Sequence, residues 1–210
     1  MATFQVQVED MVGTVGGSSS DTTALTSFLT DGAKELINMM PPNLLMLCAS
    51  EVTLTPQAVG SESSASTLNT GKVFNVRRND GTIDQPCRLI PARFKGRASD
   101  SDELDYATAT DPIYYIESNY LNILPSSSSA VGKYSEVQYP AVAYGDSAIA
   151  NFPDELEYIV VLYAAVKGME RIITDIMGTD EDIELGNARK DQYNWLVGQY
   201  GKAVQAMTSA

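Results

Sequence analysis

Apolar positions Leu25, Phe28, Leu29, Ala33, Leu36, Ile37 and Met40 recur every three or four residues. That spacing predicts an amphipathic helix, with Ser20 or Asp21 as its cap. Pro41-Pro42 stops it, and Asn43 can cap a short second helix through Leu44, Leu45, Met46 and Leu47. The Ser18-Ser19-Ser20 run ahead of it reads as linker. Across residues 51–145 the period shortens. Val52 and Leu54 alternate with polar residues, as do Phe74 and Val76. Cys87 to Ile90, Ile113 to Ile116, Tyr120 to Leu124 and Lys133 to Tyr139 are short runs rich in branched and aromatic residues, as strands are. Asn79-Asp80-Gly81 signals a turn, and Glu117-Ser118-Asn119-Tyr120 a tight reversal between two strands. Five or six strands are expected. The serine tracts at 61–67 and 126–129 read as exposed loop tips.

A second helical pattern begins at Asn151 and reads NFPDELEYIVVLYAAVKGMERIITDIMG. Pro153, Asp154, Glu155 and Glu157 suit a helix start, Lys167 and Arg171 its far end, and Gly178 its stop. Tyr158 to Val166 carry no charge, yet the run falls well short of the roughly 20 apolar residues a bilayer needs. An ordinary surface helix keeps one face polar, so this one must be covered by neighbours for more than two turns. A last helix opens at Thr179 with Asp180, Glu181 and Asp182. It can line one face with Leu185, Ala188, Trp195, Leu196, Tyr200, Val204 and Met207, and Gly198 and Gly201 weaken its end.

The expected fold is therefore α+β. Helices from residues 1–50 and 146–210 close into one bundle, and 51–145 forms an inserted small antiparallel β domain. The bundle core is expected to hold Leu25, Phe28, Leu29, Leu36, Ile159, Tyr163, Val166, Trp195 and Leu196.

Charge narrows the function. Fourteen basic against 27 acidic residues give −13, which argues against general nucleic-acid binding. Histidine is absent, and with it the commonest general base and a common metal ligand. Cys48 and Cys87 stand apart among apolar residues and read as small core hydrophobes. The opening MATFQVQVED has no signal-peptide pattern, so synthesis and folding in a reducing cytoplasm are expected.

Catalytic patterns are few. Serines have no histidine to activate them, which leaves only an unmarked Ser–Lys pair. Gly71-Lys72 lacks the rest of a phosphate-binding loop. Asp100, Asp102, Glu103 and Asp105 could attract a divalent cation, but a solvated acidic loop accounts for them. Asp180, Glu181, Asp182 and Glu184 suit a helix N-terminus. No cofactor and no metal are expected. Seven of the 14 basic residues, Lys72, Arg77, Arg78, Arg88, Arg93, Lys95 and Arg97, fall in one short stretch. They form a solvated strand face or a docking patch for an acidic neighbour such as an adjacent copy; DNA contact is the third reading, opposed by the overall charge of −13. Tyr106, Tyr114, Tyr115, Tyr120, Tyr134, Tyr139 and Tyr144 read as sheet packing, with a sugar-binding surface as the alternative.

The segment FPDELEYIVVLYAAVKGMERII, the acidic linker after it and the helix carrying RKDQYNWLVGQY resemble the C-terminal helical pair of tailed-phage head-to-tail adaptor proteins. This gatekeeper group includes the tail tubular A proteins of short-tailed phages. SSDTTALTSFLTDGAKELINMMPPNLL is similar to the opening helix and proline stop of such neck proteins, and DPIYYIESNYLNILP has the character of virion structural proteins. The resemblance implies a non-enzymatic virion protein of the neck: a ring, typically of twelve copies, bound beneath the portal, contacting tail and nozzle proteins, with DNA passing through unread and no membrane involved. It implies that 153–177 and 179–200 belong to the bundle. Residues 198–210, with Gln199, Tyr200, Lys202, Val204 and Met207, would face the portal. A head-completion stopper, a tail-terminator ring, a receptor-binding virion module and a hydrolase using Asp100 to Asp105 are the alternatives.

Overall fold

A computed structural model describes residues 2–13, 19–54, 66–126, 130–177 and 183–209. The chain is α+β, with helices towards both ends and mainly antiparallel strands between. It divides into two compact units, Met1–Cys48 with Tyr139–Ala210, and Ala49–Gln138.

The helical unit opens with α1 (Phe4–Val12), which the pattern reading lacks. Phe4, Val6 and Val8 alternate like a strand, but burial picks out Phe4, Val8 and Val12 and leaves Val6 exposed. The Thr3 hydroxyl accepts from the Val6 N–H and starts the helix, and Gly13 at φ 82° ends it. The next helix, α2 (Ser19–Met39), buries Leu25, Leu29, Ala33, Leu36 and Ile37, with Phe28 half-buried. Ser19 and Ser20 lie inside it, so the linker reading is corrected and neither Ser20 nor Asp21 stands at its start; serine costs a helix well under about 1 kcal/mol. Pro41, not Asn43, precedes α3 (Pro42–Leu45): the Pro41 carbonyl accepts from Leu44 and Leu45, and Pro42 sits where no amide hydrogen is needed.

α5 (Asp154–Asp175) packs against α1, α2 and α6 (Ile183–Ser209). Ile159, Val160, Val161, Leu162, Ala164, Ala165 and Met169 are buried, Tyr163 and Val166 are half-buried, and Tyr158 is exposed. Gly178 lies outside the described residues. Where α2 meets α5, Gly32 is buried against Tyr163; a Cβ there would stand 2.8 Å from the ring.

α6 corrects the expected core. Leu196 and Met207 are buried, but Trp195 is 56% exposed and Leu185 44%. Tyr193, Leu196, Tyr200, Ala203 and Met207, three and four apart, form the inner stripe, with Gly186 two turns before it, and Trp195 lies about 100° round the helix from Leu196. Gly198 and Gly201 do not end the helix, which runs to Ser209. Residues 139–146 are bonded within this same unit. Val142 N–H and carbonyl both meet the Thr30 hydroxyl, Tyr144 N–H donates to the Thr26 hydroxyl, and the Tyr144 and Asp146 carbonyls accept from Gln5 and Phe4.

The middle unit contains α4 (Lys95–Ala98) and eight described strands: β1 (Ala49–Leu54), β2 (Ser66–Thr67), β3 (Val73–Asn79), β4 (Asp84–Pro86), β5 (Arg88–Leu89), β6 (Ile113–Glu117), β7 (Tyr120–Leu124) and β8 (Val131–Val137). They form two four-stranded sheets, β1-β8-β3-β4 and β2-β7-β6-β5. Leu54, Val76 and Tyr134 from the first sheet share one core with Leu121 and Ile123 from the second, so the sheets pack face to face. The other face of the second sheet buries Ile113 and Tyr115 beneath Ile90, Ala98 and Ala107.

The sheet is not antiparallel throughout. β5 runs parallel to β6, because the chain between them crosses over through α4 instead of turning back. Ser118 and Asn119, both at positive φ, make the two-residue turn between β6 and β7. Ser66 and Thr67, expected at a loop tip, pair with β7; the other residues of that tract lie outside the described ones, as do 127–129.

Replacing Gly32 with alanine is expected to lower stability by about 1–2 kcal/mol through the Tyr163 clash. Gly201→Ala, open at its Cβ, raises it by about 1 kcal/mol. Urea unfolding of both variants at dilute concentration checks the opposite signs.

Candidate functional site

Six of the seven clustered cations meet carboxylates, a carbonyl or a ring of their own unit. Arg77 pairs with Glu51 and, at 3.3 Å, with Asp84; Arg88 pairs with Asp111 at 3.2 Å and Lys95 with Glu117 at 2.8 Å. Arg97 reaches both Glu103 and Asp105, at 3.0 and 3.5 Å. Arg93 lies over the Phe94 ring, 4.8 Å from its centroid, and Lys72 is half-buried. Arg78 is buried: its Nε donates to the Pro125 carbonyl at 3.0 Å. A basic docking patch is therefore corrected in one member outright, since a buried guanidinium cannot meet a neighbour. The exposed pairs are each worth little to stability, but they set a carboxylate against Arg77, Arg88, Lys95 and Arg97.

Glu136 is the most heavily bonded carboxylate among the described residues, and composition gave no hint of it. It is buried on β8, and its Oε1 accepts from the backbone N–H groups of Asn69, Thr70 and Gly71 at 2.6, 2.9 and 3.0 Å. Gly71 at φ 73° lets the three amides converge. The Thr70 hydroxyl donates to the Val137 carbonyl and accepts from Lys72 N–H, which stitches the same loop to the strand. The signal was present in KYSEVQY: strand alternation puts Glu136 on the inward side with Tyr134.

Glu157 has a similar role in the helical unit. The acids at the start of α5 suit the helix dipole, yet Glu157 is buried and accepts from the Ile149 N–H at 2.5 Å, pinning the loop that enters the helix. Further along, three helices meet through Glu35 on α2, Tyr163 on α5 and Tyr200 on α6. The Tyr200 hydroxyl donates to Glu35 at 3.1 Å, and its ring stands edge-on to Tyr163 with centroids 5.8 Å apart. Burial, with the Glu35 carboxylate nearby, pushes both phenols above their ordinary range. Of the five residues expected to face a portal, Tyr200 and Met207 are thus engaged inside the unit. Gln199 and Val204 are half-buried and Lys202 is exposed.

The remaining candidates disperse. Tyr134 and Tyr115 belong to different cores, Tyr139 donates to Asn38 at 2.9 Å within the helical unit, and Tyr106, Tyr120 and Tyr144 are exposed. Glu103 and Asp105 are held by Arg97, and the Asp100 side chain accepts from the Asp102 N–H. Among the described residues no group of three or more Cys, Asp or Glu is placed to hold a metal, and Asp180 to Asp182 lie outside them. Cys48 is buried, 3.7 Å from the Met40 sulfur. Burial pushes the Cys87 thiol up to about 12, against a smaller downward pull from Arg78. No helix among the described residues is long and apolar enough to cross a membrane. Set beside known proteins, the chain matches no family model and no curated protein.

Two outcomes follow from this geometry. Glu136→Ala strands three backbone donors and is expected to cost about 3 kcal/mol in urea unfolding. Both thiols should stay silent to a thiol reagent at pH 8 in the native protein and react fully after denaturation. Because folding raises the Cys87 pKa, its contribution to stability is complete below the unfolded value near 9 and disappears as pH climbs through about 12.

Proposed function

We propose that this protein is a structural virion subunit of a tailed phage, an adaptor ring of the neck that joins portal to tail and lines the DNA path. The observation that carries the reading is the nesting of the chain. It leaves a helical unit after Cys48, builds a β unit, and returns at Tyr139 to place α5 against helices from both ends. In this reading α1, α2, α5 and α6 act as a single bundle, and the β unit is the part offered to tail components. Helix exceeds strand, 51% against 20%, which favours an adaptor over a stopper or tail terminator, where a barrel would dominate.

The side chains with the most specific geometry, Glu136, Glu157, Arg77 and Tyr200, hold the chain's own loops, strands and helices together. At −13, a ring of these subunits repels the phosphate backbone and lets DNA slide. Residues 198–209 belong to α6, so a separate portal-seeking tail is not part of this reading. The function is passive: the ring extends the channel, seals it and gives the tail a platform.

Mixing the purified chain with a portal complex and imaging the product by cryo-electron microscopy is expected to show a second coaxial ring. A portal that stays bare at saturating subunit sinks the reading. Gel-shift assays at about 50 mM salt, where phosphate contacts are strongest, are expected to show no retention of duplex DNA by the free chain.

A further inference from the structure

The second half of α6 differs electrostatically from the other long helices of its unit. Between Gln192 and Ser209 the only charged residue is Lys202. The others all carry exposed carboxylates: Asp10 on α1, Asp31 on α2, and Asp154, Glu170 and Asp175 on α5. The outward side of this half is nevertheless open to water. Trp195 is 56% exposed and Val197 41%, and Gly198, Gly201, Lys202 and Gln205 are exposed beside them.

The glycines add a second observation. A Cβ at Gly198 or Gly201 would meet nothing within 4 Å, so no packing among the described residues requires them. Each weakens an exposed helix relative to alanine. Their use there lets another backbone approach closely, next to a large indole of the kind that anchors interfaces.

We propose that the outer face of α6 from Gln192 to Ser209 is the contact between copies of this chain. The occupant follows from charge. Two copies at −13 repel one another wherever carboxylates face carboxylates, and this face has none. A basic partner would be drawn instead to the acidic surfaces. The assignment deepens the ring reading and rests on it: a closed ring needs this face to meet a different surface of the next copy, whereas the same face on both copies gives only a dimer.

Trp195 is the chain's one tryptophan, so its fluorescence reports on this face alone. Sedimentation and acrylamide quenching of the full chain are followed together as concentration rises. Association is expected to shield Trp195. Ala206→Glu keeps the reporter and the exposed position while adding a carboxylate, and is expected to weaken association at least about tenfold. A melting curve matching wild type shows that the variant folds. The assignment is overturned if assembled protein leaves Trp195 as open to quencher as the dilute chain. It is overturned equally if Ala206→Glu associates like wild type, or if the chain stays monomeric to roughly 1 mM. Assembly with Trp195 still open leaves the ring reading standing; a closed dimer with Trp195 shielded keeps this face and removes the ring.

Discussion

Ile159 to Ala165 on α5 leave water almost completely, Tyr163 excepted, and a helix laid on one neighbour can hide only one stripe. Cover has to come from several directions, and it does: α1, α2 and α6 all pack on α5. Most of the other choices in the unit serve that enclosure. Gly32 removes a side chain so that α2 can close on Tyr163, α6 aligns its three-and-four stripe with Leu196 inward, and Glu157 fixes the approach of the preceding loop. Glu35 and Tyr200 then join α2 to α6 across the edge of the contact.

The β unit answers a different problem, which is where to put its charge. Several of its cations are matched to nearby acids, as Arg77 is by Glu51 and Asp84. Among its described residues the buried acid, Glu136, is answered by backbone amides. Hydrogen bonds to a carboxylate from fixed amides are strong and need no long side chain to be ordered. Glu136 thereby fixes the 69–71 loop to β8 through three backbone donors.

Periodicity made the main divisions legible. The apolar stripe of α2, the uncharged run of α5 and the turn residues Ser118 and Asn119 each encode a local geometry, and local geometry is what spacing reports. Three features escaped for physical reasons. FQVQV satisfies both strand and helix periods, so α1 was ambiguous until tertiary burial chose Phe4, Val8 and Val12. On α6, Trp195 and Leu196 are adjacent, and only packing against α5 decides which one turns inward. The anchorage of Glu136 depends on a loop far away in the sequence, and no single-chain pattern announces such a partner. The basic cluster illustrates the opposite error: residues close in sequence looked like one surface, yet folding gave six of the seven an acid, a carbonyl or a ring.

The nesting of one unit inside the other also has a cost in time. During synthesis the apolar stripe of α2 leaves the ribosome long before α5 exists, because the whole of Ala49–Gln138 must be made in between. At translation speeds of about 5–20 residues per second, that gap lasts on the order of 5–25 s. Throughout it Leu25, Leu29 and Leu36 lack their eventual cover. The first third of the chain therefore cannot bury this stripe until α5 has been made.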